Sequence, residues 1–181
     1  MGQKINELTP FLTEFIEQQK VFFVGTAAES GTVNVSPKGM DTLRVSSPNT
    51  VVWQNLTGSG NETAAHLLKN DRMTIMFCAF SGNPMILRLY GEAKCYHEED
   101  AFYRNNIKHF DELPGTRQLI ELKISLVQTS CGFAVPFMEY KEDRPTLIEW
   151  SDKKGEVGIT QYQQEKNRVS LDGFETGLPE K

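Results

Sequence analysis

Three features of the sequence could engage an anion, and in each the spacing matters as much as the residue type. Thr57-Gly58-Ser59-Gly60-Asn61-Glu62-Thr63 joins the strand formers Val51 to Trp53 to Ala64, Ala65, Leu67 and Leu68, which recur at helical spacing. A helix that opens in glycines offers unpaired backbone N–H groups and the positive end of its dipole, which suits a phosphate. Ser59 followed three residues later by Glu62 is a capping-box pattern, so a helix is expected to start near Gly60 and stop at Asn70. Taken alone, this stretch is better read as a serine capping an ordinary surface helix. Two cations shift the balance. Lys38 continues the face of Asn34 and Ser36, and the flanking Pro37 and Gly39 suggest a bulge or strand end that re-aims a side chain toward a site. Arg88 stands among Ile86 and Tyr90, where a charge is either paired with a carboxylate or serves as an anion ligand.

The elements that must position these residues follow from the hydrophobic pattern. Thr9 before Pro10 signals a helix with Phe11, Leu12, Phe15 and Ile16 on one face, ending near Lys20. Val21 to Ala28 and Thr32 to Ser36 form a hairpin about Glu29-Ser30-Gly31, with Val33 and Val35 on one face and Asn34 and Ser36 on the other. A polar row facing solvent is the ordinary reading of that second strand. Leu43 to Val45, Val51 to Asn55, Arg72 to Phe80, Met85 to Tyr96 and Leu119 to Thr129 complete six or seven strands. Glu98 to His109 reads as a helix with Ala101, Phe102 and Asn105 inward, and two further helices surround Trp150 and Tyr162. Antiparallel strands at short spacing, with one helix inserted among them, predict a mainly β barrel closed against its own edges and flanked by peripheral helices.

Composition narrows the function. The 181 residues suit one domain or one domain with an extension. A formal net charge of −5, with both signs mixed along the chain, disfavours nucleic acid and anionic membrane surfaces as partners. Cys78, Cys95 and Cys131 are widely spaced in apolar runs and read as reduced, buried thiols of a cytoplasmic protein. The N-terminal residues carry Glu7, Glu14 and Glu17 rather than a leader pattern, and no window reaches membrane-spanning length. His66, His97 and His109 lack the close spacing of a zinc or iron site, so no metal is expected.

Asn34-Val-Ser36-Pro-Lys38-Gly39, the strand and turn from Trp53 to Asn61, the helix to Asn70, the Arg72 to Phe80 strand and Leu87-Arg88-Leu89-Tyr90-Gly91-Glu92-Ala93 occur in an order that resembles the FMN-binding split barrel of the pyridoxamine 5′-phosphate oxidase-related proteins. The resemblance covers roughly Val21 to Cys131, and each motif is weak by itself. It implies a six-stranded antiparallel split β-barrel with its N-terminal helix over residues 1–136; the C-terminal extension over 137–181, too polar for a domain of its own and too aromatic for a disordered linker, is expected to pack on the barrel or on a dimer partner. It further implies a homodimer with FMN between the subunits. Asn34, Ser36 and Lys38 would face the flavin, Trp53, Gln54 and Asn55 would lie beside its ring, and Ser59, Gly60, Asn61 and Thr63 would hold its phosphate, with Arg88 reaching toward it.

Two departures separate this chain from the oxidase. The Arg-Lys pair that opens the corresponding helix is replaced by Gly60 and Asn61, so Lys38 and Arg88 must supply the positive charge. The oxidase's C-terminal Arg-x-His, which grips the substrate, has no counterpart, because no histidine follows His109. Pyridoxamine 5′-phosphate is therefore not the expected substrate. The resemblance implies an FMN-dependent oxidoreductase passing a hydride between a small molecule, or a reduced nicotinamide, and the flavin. The alternative is a carrier or sensor that binds FMN without turnover. No G-x-G-x-x-G follows a strand, which favours FMN over FAD. No general acid or base is singled out, and Lys166, Asn167, Arg168, Ser170 and Asp172 offer polar groups to a ring edge or substrate.

Overall fold

The computed structural model describes residues 2–181. Its first helix, α1 (Pro10–Gln18), opens as the Thr9-Pro10 signal requires, the Thr9 hydroxyl accepting the Leu12 N–H at 3.3 Å. Leu12 and Ile16, four apart, are buried, whereas Phe11 lies off that stripe and is exposed.

Eight strands make one sheet: β1 (Lys4–Ile5), β2 (Phe22–Ala27), β3 (Val33–Lys38), β4 (Leu43–Ser47), β5 (Thr50–Leu56), β6 (Arg72–Cys78), β7 (Ile86–Tyr96) and β8 (Thr116–Ser130). Every pairing is antiparallel, in the order β3-β2-β6-β7-β8-β5-β4, with β1 added on β8. The sheet curls on itself, because the Phe22 ring on β2 meets the Trp53 ring on β5 edge-on at 6.2 Å although three strands separate them in the sheet. Val24, Ile75, Leu87, Leu89, Ile120 and Leu122 fill the interior. The chain is a split β-barrel with peripheral helices, as the family resemblance implies, but the described residues form eight strands rather than six. The two-residue β1 is too short to show any period in the sequence.

The barrel is not closed by hydrogen bonds, contrary to the expectation of a barrel sealed against its own edges. β3 and β4 end the sheet without pairing to each other. Between them Met40 and Asp41 both adopt left-handed backbone, with φ of 62° and 53°. That conformation costs a side-chain-bearing residue energy, and here it swings the chain off β3 instead of folding it back as a partner. Arg44 secures the turn, its Nη1 donating to the Asp41 and Leu43 carbonyls at 2.8 and 2.9 Å while Nη2 meets the Asp41 carboxylate at 2.9 Å.

The remaining helices are α2 (Glu62–Lys69), α3 (Ala101–Asn106) and α4 (Thr146–Lys166). In α4 Gly155, with φ of 64°, breaks the helix into segments bearing Trp150 and Tyr162, as expected. Of the residues expected inward on α3, Ala101 and Asn105 are exposed, while Phe102 stacks on Tyr96 at 4.1 Å between ring centres. All three cysteines are free; Cys78 is buried and Cys95 half-buried, but Cys131, just past the end of β8, is exposed rather than buried. Among the described residues no helix is long and apolar enough to cross a membrane.

A cationic cleft between the edge strand and the second helix

The alternation of β3 points Asn34, Ser36 and Lys38 into a cleft and leaves Val33 and Val35 outward, 73% and 65% exposed. This reverses the ordinary expectation for an edge strand: the polar row faces inward and the valines face solvent. Trp53 and Asn55 from β5, the Gly58-Ser59-Gly60-Asn61 turn, Thr63 from α2, and Arg117 from β8 complete a cleft of about 370 Å³. Asn34 braces its floor, its amide donating to the hydroxyls of Thr63 at 3.2 Å and Thr26 at 3.4 Å.

The helix start differs from the capping-box expectation. Asn61, not Ser59, occupies the cap position, and no side chain caps the helix. Asn61 instead donates from its amide to Gln118 Oε1 at 3.3 Å. The Glu62 carboxylate lines the cleft together with Leu171, and accepts the backbone N–H of Leu171 at 3.0 and 3.2 Å. Ser59 is thereby exposed, and the first N–H groups of α2 keep no side-chain acceptor.

Two cations converge here. Lys38 Nζ lies 5.0 Å from the Trp53 ring centre, and burial together with the nearby Arg117 charge lowers its pKa to about 8. Arg117 is 8% exposed and forms no ion pair among the described residues. Its Nη1 donates to the Gly60 carbonyl at 3.1 Å and to Asn167 Oδ1 at 2.6 Å, while its buried Nε has no partner. Burial pulls its pKa down to about 10. A buried charge without a counter-ion is costly, and here two share one cleft. An anion would relieve both.

Arg88 does not join them. It sits where β7 crosses the far end of β8, donating to Ser130 Oγ at 3.0 Å, whereas Arg117 occupies the opposite end of that strand. Gln54 is also turned away, as the strand period requires between Trp53 and Asn55: its amide donates to Thr116 Oγ1 at 2.9 Å and to the Asp111 carbonyl at 3.2 Å. Sequence reasoning missed Arg117 altogether. The available signal was the polar pair Arg117-Gln118 standing directly before the alternating run Leu119, Ile120, Leu122, Ile124 and Leu126.

Of the residues considered for a substrate, Lys166 is exposed on the last turn of α4, and the other four are committed to structure. Asn167 is fully buried and donates to the Gly58 carbonyl at 3.0 Å. Arg168 pairs with Glu180 at 2.7 Å, and Ser170 Oγ accepts the Phe174 N–H at 3.0 Å. Asp172 accepts both the N–H and the hydroxyl of Thr32 at 2.8 Å, bonds that hold its pKa below the usual carboxylate value. Gly31, at φ of 93°, lets that carboxylate approach; a Cβ there would stand 2.6 Å from it. Larger hollows exist, including one of about 560 Å³ between α1, Ser81 to Met85 and Thr129 to Phe133, but no lysine or arginine lines it.

Fold and cleft together define a split-barrel protein with an anion-receptive groove at its open edge. The family signature described as pyridoxamine 5′-phosphate oxidase matches residues 8–131, and the chain belongs to that family. The pyridoxamine 5′-phosphate oxidase family protein ustO of Aspergillus flavus is 37% identical, over 92% of this chain and 74% of that protein. Among solved structures, HupZ of Group A Streptococcus superposes with a TM-score of 0.57 at 18% identity, covering 67% of this chain and 98% of that one. The FAD binding protein of Mycobacterium smegmatis does so with a TM-score of 0.50 at 12% identity, covering 70% and 97%.

Proposed function

We propose that the cleft binds FMN and that the protein is an FMN-dependent oxidoreductase, passing a hydride between a small organic substrate or a reduced nicotinamide and the flavin. The observation that carries this reading is the pair of cations without counter-ions, Lys38 and Arg117, gathered beside the uncapped start of α2. Membership of the pyridoxamine 5′-phosphate oxidase family supports a flavin, and flavin binding on this fold is named for the mycobacterial relative.

When bound, FMN supplies the hydride chemistry. The chain's part is to bind and orient. Ser59, Gly60, Asn61 and Thr63 offer hydroxyl and backbone donors to the phosphate end. Asn34, Ser36 and Lys38 line one wall, while Trp53 and Asn55 line the other. Arg117 takes the role expected of Arg88. The exposed valines of β3 lie on the strand face opposite the cleft and offer an apolar surface to a second copy in a homodimer. Among the described residues Glu62 is the one carboxylate that lines the cleft, and both of its oxygens accept the Leu171 N–H, which keeps the carrier reading as the second candidate.

Titration of the purified protein with FMN, followed by flavin fluorescence, should give saturable binding, and a reduced nicotinamide should bleach the bound flavin anaerobically. Absence of FMN binding would sink the proposal; binding without bleaching, and without turnover of any substrate, would leave the carrier. Pyridoxamine 5′-phosphate should be oxidised poorly, and rapid pyridoxal phosphate formation would contradict that.

A further inference from the structure

The C-terminal segment touches the cleft at points that have no need of a packing explanation. Asn167 uses both ends of its amide: Oδ1 accepts from Arg117 Nη1 at 2.6 Å and Nδ2 donates to the Gly58 carbonyl at 3.0 Å. It thus ties the buried guanidinium to the turn that opens α2. Gln163, one helical turn earlier, donates to Thr57 Oγ1 at 2.8 Å, and that hydroxyl donates in turn to the Gly115 carbonyl at 2.7 Å. Thr176 closes the segment by donating from Oγ1 to the Asn167 carbonyl at 2.6 Å. Leu171 donates its N–H to Glu62, the acid at the helix start, and both residues line the cleft.

The arrangement at Arg117 is incomplete in a directed way. Both of its bonds leave from Nη1, and the buried Nε has no partner. A neutral amide fixes the orientation of the guanidinium without cancelling its charge. An aspartate at the same place would have made a buried ion pair and spent that charge inside the protein. Holding a cation by its neutral side and leaving the charge unspent is useful only if a ligand supplies the anion.

We infer that Arg117 is the phosphate anchor of this cleft and that Asn167 is the positioning residue that aims it, so that phosphate binding and docking of the 167–176 segment are one coupled equilibrium. This rests on the flavin reading and names the residues that would make it specific for a phosphorylated flavin. Coupling is reciprocal: whatever the docked segment adds to phosphate affinity, phosphate adds to the docking of the segment. Riboflavin, which shares the ring but lacks the phosphate, should engage neither.

The experiment compares FMN with riboflavin on the wild-type chain, Arg117→Met and Asn167→Asp, by fluorescence titration and by hydrogen exchange at the amides of Leu171 and Thr176. The wild-type chain should bind FMN at least about tenfold tighter than riboflavin, the scale of one charge-assisted contact. Both variants should bring the two affinities together chiefly by weakening FMN, because one removes the charge and the other pairs it internally. FMN, and not riboflavin, should slow exchange at both amides in the wild-type chain only. A change in packing alone would weaken both flavins in parallel, and that result, or an unchanged FMN preference in either folded variant, overturns the inference. Should Arg117→Met fail to fold, Arg117→Lys keeps a charge but cannot span Gly60, Asn167 and a ligand together, and the same narrowing is expected. If neither flavin binds, the flavin reading falls, and inorganic phosphate then probes the anchor alone: slowed exchange at Leu171 and Thr176 retains it, and no change removes it.

Discussion

Arg88 and Arg117 stand on neighbouring strands of one sheet, and of the two only Arg117 lines the cleft beside Lys38. Arg88, partly buried, finds a neutral hydroxyl at Ser130 in a region where no other cation lines the adjacent hollow. Arg117 is more deeply buried, is held by a carbonyl and an amide, keeps an unpartnered Nε, and shares its cleft with Lys38. A charge becomes a binding group through what its surroundings leave unsatisfied, and residue type alone does not distinguish the two. The C-terminal segment makes the difference, since it reaches the Arg117 end of β8 through Asn167 and Gln163.

The sharpest way to break this comparison is to neutralise each arginine in turn. Arg117→Met should cost about 1.5–3 kcal/mol of FMN affinity, a tenfold or greater rise in Kd. Arg88→Met should leave Kd within about twofold and cost about 1 kcal/mol of folding stability for its lost hydrogen bond. Denaturation and flavin titration of the same two samples measure both quantities, and equal losses of affinity would erase the distinction.

Acidity offers a second, smaller test. The Lys38 pKa is lowered from 10.5 to about 8 by burial and the Arg117 charge. Because the folded state holds this proton less tightly than the unfolded chain, stability should rise with pH between the folded and unfolded values, and the penalty of burying the charged amine is fully present below about pH 8. Ligand binding has the opposite sense. An anion favours the protonated amine, so FMN affinity should be greatest below pH 8 and fall above it, by at most about tenfold per pH unit. Lys38→Met should flatten the profile; a slope that persists in that variant would assign the titration elsewhere.

The smallest expected effect concerns the thiols. Cys131, exposed beside the hollow at the Arg88 end, should take one equivalent of iodoacetamide in the native protein, while Cys78 and Cys95 remain unmodified. For Cys95 burial raises the pKa to about 12, leaving almost no thiolate. Mass spectrometry of the labelled chain reads this directly, and FMN affinity should not change. Rapid labelling of Cys95, which accepts a hydrogen bond from Gln118 behind Asn61, would mean the cleft opens far more than its packing implies.

Much of the cleft was legible in local sequence. The two-residue period of β3 puts Asn34, Ser36 and Lys38 on one face wherever that strand docks, and the same period turns Gln54 away from Trp53 and Asn55. The glycine-rich turn places a helix start after β5, and Thr9-Pro10 opens α1, because these signals act within a few residues of backbone. Other properties belong to pairs that are far apart in the chain. Whether Ser59 caps α2 depended on Leu171, which draws Glu62 away from the capping box. Which face of β3 meets solvent depended on the curl of the whole sheet, and which arginine serves the cleft depended on where the two ends of β8 fall and on Asn167, fifty residues beyond Arg117. Backbone periodicity and capping are short-range and leave a mark in the sequence. The desolvation of a charge and the pairing of a buried polar atom are set by every neighbour the fold assembles, so only the tertiary structure decided them.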